Sequence, residues 1–118
     1  CHVNRSPIAG TITRYAYTPG KKLAAFSPKA SLDNEQNMID MAGDGRRVVF
    51  KQIAGALARR IVFRRKPGDH CGRGERVGMI RFGSRVDVFL PAEAEIGVRP
   101  GEKVKAGLTV IARFPEAR

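Results

Sequence analysis

The residues of this chain best equipped for chemistry are one serine, two histidines and a crowd of arginines. Ser84 follows Gly83 between two strand-like runs, Val77 to Phe82 and Val86 to Leu90. A Gly-Ser pair in that position reads most simply as a bulge or a tight corner in a sheet. Its hydroxyl becomes a nucleophile only beside a base, with donors for the charge that develops on the group it attacks. His2 on its own reads as a surface or capping residue, and His70, in the polar turn KPGDHCG, reads as solvent-exposed. Each histidine neighbours a cysteine, Cys1 and Cys71. Structural zinc sites space paired ligands two to four residues apart so that both turn toward one ion, which adjacent residues do badly. No metal and no framework disulfide are therefore expected, and a reduced setting is the default.

Lysine and arginine number 22 against 11 acidic residues, a formal charge of +11. That excess calls for a polyanionic partner: anionic lipid, nucleic acid or a phosphorylated substrate. The arginines crowd at Arg59, Arg60, Arg64, Arg65, Arg73, Arg76, Arg81 and Arg85. With six Phe, two Tyr and no Trp, stacking platforms for single-stranded nucleic acid are scarce, and no nucleic-acid partner is expected. Asp87 and Glu35 either orient other groups or pair with the arginine excess.

The elements that must hold these residues read as short strands. Pro19-Gly20, Pro67-Gly68 and Pro100-Gly101 suit type II turns, in which proline fixes φ and glycine supplies a positive φ. Between the turns lie runs rich in β-branched residues: Ile8 to Tyr17, Arg46 to Ile53, Arg60 to Phe63, Val77 to Phe82, Val86 to Leu90 and Leu108 to Phe114. The segment QIAGALARR, from Gln52 to Arg60, reads equally as a helix or a continued strand, because Gly55 interrupts its helical pattern. Ser27 to Asn37, polar and containing Pro28, reads as a connecting loop. The sum is one all-β, mainly antiparallel domain, a sandwich or barrel-sandwich hybrid with at most one short helix. No apolar run approaches the roughly 18 residues of a membrane-spanning helix. No signal peptide is visible, and a start at Cys1 without Met reads as a fragment lacking its upstream part.

The string GERVGMIRFGSRVDVFLP closely resembles the self-cleavage region of the short, archaetidylserine-decarboxylase-like bacterial phosphatidylserine decarboxylases. HVNRSPIAG at residues 2–10, NEQN at 34–37 and QIAGALARRIV at 52–62 resemble further blocks of that family, in the same order. The resemblance implies that the Ser84 hydroxyl attacks the Gly83 carbonyl and turns the amide into an ester. Elimination and hydrolysis then leave a larger β chain, 1–83, and a smaller α chain, 84–118, that begins with a covalent pyruvoyl group made from Ser84. Gly83 suits the cleavage site because, lacking a Cβ, it allows close approach.

The resemblance further implies that the pyruvoyl carbonyl condenses with the serine amine of phosphatidylserine as a Schiff base and accepts the electrons released with carbon dioxide, as pyridoxal phosphate does elsewhere. Phosphatidylethanolamine is then the product. His2 matches the histidine of the family's Asp-x-His-Val-Asn-Arg block and is the implied catalytic proton carrier. Arg5, Arg81 and Arg85 are expected to bind the lipid phosphate, since guanidinium pairs with phosphate through charge-assisted hydrogen bonds; their alternative is a solvated sheet surface. Arg5 stands where the longer decarboxylases have a second histidine and inherits no such role. The block's aspartate and an upstream acidic motif are absent from this sequence. The implied location is the cytoplasmic side of the cell membrane, as a peripheral protein on an anionic surface. The alternative is a lipoyl- or biotinyl-like carrier, because GEKVKAG resembles a carrier turn, although Lys21, Lys22 and Lys103 lack hydrophobic flanks.

Overall fold

The alternating runs fold as antiparallel strands in a computed structural model that describes residues 2–56, 60–81 and 84–115. In chain order the strands are β1 (His2–Arg5), β2 (Gly10–Thr18), β3 (Gln36–Gly43), β4 (Arg46–Ala54), β5 (Arg60–Phe63), β6 (His70–Cys71), β7 (Arg76–Arg81), β8 (Ser84–Phe89), β9 (Glu95–Ile96) and β10 (Ala112–Arg113). A single helical turn, α1 (Ala30–Asp33), precedes β3. The larger sheet runs β6-β2-β3-β4-β8, a smaller one runs β1-β7-β5, and β9 and β10 form a separate ribbon.

Side chains alternate across a strand, so each sheet turns one apolar row inward. Ile12 of β2, Ile39 and Met41 of β3 and Phe50 of β4 meet Val77 of β7 and Phe63 of β5 in the main core. Ala54 and Ile80 form a smaller cluster with Ile61 at the other end of the interface. Each large apolar side chain buried here contributes about 1.5–3 kcal/mol. The result is the all-β sandwich that the strand pattern predicts.

The details differ from the expectation in four places. β3 occupies the middle of the larger sheet although its first residues, Gln36 and Asn37, are polar; both are buried and hydrogen-bonded. The Ser27 to Asn37 loop therefore contains α1 and the start of a central strand. Pro67-Gly68 and Pro100-Gly101 have the positive φ that a type II turn needs, but Gly20 does not. Glycine is required at 20 for another reason: a Cβ there would collide with the backbone of Asp33 and Asn34. Of the run Leu108 to Phe114, only Ala112–Arg113 forms a strand, and Leu108 and Val110 stay exposed. The ambiguous QIAGALARR resolves as strand through Ala54, while residues 57–59 lie outside the described part.

Candidate active site

Between β7 and β8 the chain changes sheets. β7 belongs to the smaller sheet and β8 to the larger, so Arg81 and Ser84 lie in different sheets. Ser84 opens β8 opposite Ala54, the last residue of β4. His2 opens β1 opposite Ile80, near the end of β7. Both residues thus stand at the same end of the sandwich, and His2 Nδ1 is hydrogen-bonded to Ser84 Oγ. His2 is exposed and Ser84 half-buried. With Nδ1 unprotonated, the hydroxyl donates to it, which is the geometry by which imidazole takes a proton from a nucleophile. Gly83 and the Arg81 side chain lie outside the described residues; the Arg81 backbone pairs with Arg60.

The other arginines singled out from the sequence point elsewhere. Neighbours in a strand face opposite ways, so Arg85 projects from the outer face of β8, away from the Ser84 hydroxyl. Its Nε and Nη2 donate to Asp87 at 2.6 and 3.2 Å, and its Nη1 donates to the carbonyls of Ser27 and Ala25 at 3.1 and 3.3 Å. Arg5 donates from Nη1 to the Gly74 carbonyl at 2.8 Å. It also lies against Gly107, where an added Cβ would come within 2.9 Å of Arg5 Cδ. His2 and Ser84 are brought together; Arg5 and Arg85 are not brought to them. Asp87 pairs with Arg85, and Glu35 accepts a hydrogen bond from the Tyr17 hydroxyl. His70 is exposed, and burial pushes the Cys71 thiol up.

The phosphatidylserine decarboxylase family model matches residues 1–112. The chain belongs to the phosphatidylserine decarboxylase family. It is 58% identical over 112 residues to the phosphatidylserine decarboxylase proenzyme of Solibacter usitatus, covering 95% of this chain and 55% of that protein. To the proenzyme of Magnetococcus marinus it is 51% identical over 114 residues, 96% of this chain and 52% of the relative. To that of Novosphingobium aromaticivorans it is 56% identical over 117 residues, 98% and 46%. The chain therefore spans about half the length of these relatives. No solved structure matches it. Family membership does not favour the carrier alternative.

In this decarboxylase-family chain a buried polar network, which sequence reading missed, connects β1, the strand that carries His2, with β4, the neighbour of the strand that carries Ser84. Gln52, fully buried on β4, donates from Nε2 to Asn4 Oδ1 at 2.8 Å and to the Val62 carbonyl at 2.9 Å. Its Oε1 accepts from Asn37 Nδ2 at 3.1 Å, and Asn37 Oδ1 accepts from the Tyr15 hydroxyl at 2.7 Å. Asn4 lies two residues beyond His2, and Gln52 two residues before Ala54, the partner of Ser84. The network thereby joins β1 to β4, two residues from His2 on one side and two from the strand partner of Ser84 on the other. Gly78 makes room for it, since a Cβ there would strike both the Gln52 amide and the Val62 carbonyl. The signal was present in the blocks NEQN and QIAG, whose amides interrupt otherwise strand-like runs.

Proposed function

We propose that this chain is the catalytic part of a pyruvoyl-dependent phosphatidylserine decarboxylase that cuts itself between Gly83 and Ser84. The observation that carries the reading is the hydrogen bond between His2 Nδ1 and Ser84 Oγ, in a chain of this family. His2 takes the hydroxyl proton as Oγ adds to the Gly83 carbonyl, and collapse of that adduct exchanges the amide for an ester. Loss of the Ser84 α-proton expels the Gly83 carboxylate and leaves a dehydroalanine. Water converts this to the pyruvoyl group with release of ammonia.

The residues at the junction fit such a group. The hydroxyl has its base, and a cut ahead of Ser84 leaves the pairing of β8 with β4 from Ile53↔Arg85 to Val49↔Phe89 intact. The two products, 1–83 and 84–118, would therefore stay associated through that ladder. The pyruvoyl carbonyl supplies an electron sink for loss of carbon dioxide from the serine headgroup. His2, at the same end of the sandwich, is suited to hold the proton returned to the headgroup carbon. Arg5, Arg81 and Arg85 are the arginines proposed to meet the lipid phosphate, and Arg5 and Arg85 also donate within the fold. Acyl and ether lipids fit the same chemistry. The net charge of +11 suits attachment to the anionic cytoplasmic face of the cell membrane, where each nearby Lys or Arg contributes about 1 kcal/mol.

The test is to express the gene with its upstream region and weigh the products. The wild-type chain is expected as two pieces, the smaller beginning with a pyruvoyl group. Ser84→Ala should remain one piece and release no carbon dioxide from phosphatidylserine, and His2→Ala should cut at least a hundredfold more slowly. Decarboxylation by an uncut Ser84→Ala protein would end the proposal.

A further inference from the structure

The segment from 19 to 34 is rooted beside the His2–Ser84 pair. Lys21 bridges to Asn34, whose side chain accepts from the Leu23 amide at 3.0 Å and donates to the carbonyls of Leu23 and Ala54 at 2.9 and 2.6 Å. Ala54 is the residue that pairs with Ser84. The middle of the segment is strapped to the outer face of β4 and β8. Arg85 holds the carbonyls of Ala25 and Ser27, and Lys51 donates to the Ser31 carbonyl at 3.1 Å. The backbone is thus secured to the strand that opens with Ser84.

Against that anchored backbone, the outward side chains are apolar where solvent would favour polar ones. Phe26 is 90% exposed and Leu32 80%. Lys21, Lys22 and Lys29, on the same segment, are exposed too. Exposed apolar side chains on a segment that also carries lysines are the composition that enters an anionic lipid surface: the side chains reach the acyl boundary and the ammonium groups meet the headgroups. A protein partner of opposite charge would supply carboxylates instead, but the neighbouring site adds a reason for lipid. On the reading above, the reacting serine is itself part of a lipid and cannot leave the bilayer, so the bilayer must come to the end of the sandwich where His2 and Ser84 meet.

We infer that the segment from 19 to 34 is a membrane-docking loop, with Phe26 and Leu32 as the inserted residues and Lys21, Lys22 and Lys29 as the anionic-headgroup contacts. The inference rests on the decarboxylase reading for its orientation. Its test needs no turnover, so the two can fail separately.

The chain contains no tryptophan, and Phe26→Trp gives this chain a single tryptophan, which can be excited apart from its two tyrosines. With vesicles of phosphatidylglycerol and phosphatidylcholine, its emission should move to the blue and be quenched by brominated acyl chains. High salt or pure phosphatidylcholine should weaken both effects. Ile96→Trp, at an exposed position on the β9–β10 ribbon, should change little. Replacing Phe26 and Leu32 together by serine should lower vesicle partitioning about tenfold or more, while a Ser84→Ala copy binds as the parent does. The same Phe26→Trp change in the protein with its upstream region, read as a difference from its parent, should respond alike. An indole already blue-shifted without vesicles, because the rest of the protein or a second copy covers it, overturns the inference. So does equal quenching at positions 26 and 96, or none at either.

Discussion

Asp87 carries the balance of forces that keeps the docking segment in place. Burial by itself would raise its carboxyl, but hydrogen bonds from Arg85 and from Ser31 outweigh that and hold it below the ordinary aspartate value. A carboxyl depressed in the folded state adds stability above its unfolded pKa, and the contribution disappears as pH falls through the folded one. Asp87→Asn should therefore cost about 1 kcal/mol near neutrality, a figure already reduced for the partial exposure of the pair. That cost should shrink as pH falls below the ordinary aspartate range and through the depressed folded value, where the parent carboxylate is itself neutralised. Urea denaturation of both proteins across that range checks it; a pH-independent difference would mean that the carboxylate charge is not what matters at this position. Arg85 belongs to the same clamp, which is why a guanidinium next in sequence to Ser84 serves the outside of the sheet.

Among the elements, β3 and β4 matter most, because the amides between them tie the two sheets together. Gln52→Leu keeps the approximate volume but strands the Asn37 amide and the Asn4 carbonyl oxygen without partners. An unsatisfied buried group costs about 1–3 kcal/mol, so the variant should lose about 3 kcal/mol in denaturant unfolding. It should also cut itself at least tenfold more slowly in the full-length protein under conditions where it remains folded. Unaltered cleavage in a folded, destabilised variant would leave Gln52 as a packing residue only.

The same elements mark how far sequence could be read. β4, β5, β7 and β8 were legible because β-branched residues alternate there, and the family blocks singled out His2 and Ser84 individually. β3 was hidden by the polarity of Gln36 and Asn37, whose burial depends on partners distant in sequence. One local signal for it existed: Asp44 and Gly45 both have positive φ, the geometry of a two-residue hairpin turn, and Asp-Gly is the pair that favours it. The outward course of Arg85 was implicit in strand alternation, but its partners Ala25 and Ser27 come from a segment without periodicity.

At the scale of the whole molecule, residues 82 positions apart form the candidate site, and neither sheet alone can make it. The pair exists only once β1 has joined β7 and β8 has joined β4. Cut protein should therefore unfold in denaturant as a parent-like unit but recover poorly on dilution. The 84–118 piece contributes few buried side chains among its described residues, 84–115, and must find β4 again as a separate molecule. Uncut Ser84→Ala protein should regain its native signal under the same conditions, and recovery of both to the same extent and at the same rate would refute this. On the proposed self-cleavage, the broken bond works as a record of history: each severed molecule would have, at least once, assembled both sheets correctly. In a cell, the proportion of severed to whole chains would count successful folding events, and a misassembled copy would remain inert rather than carry a reactive ketone into the wrong company.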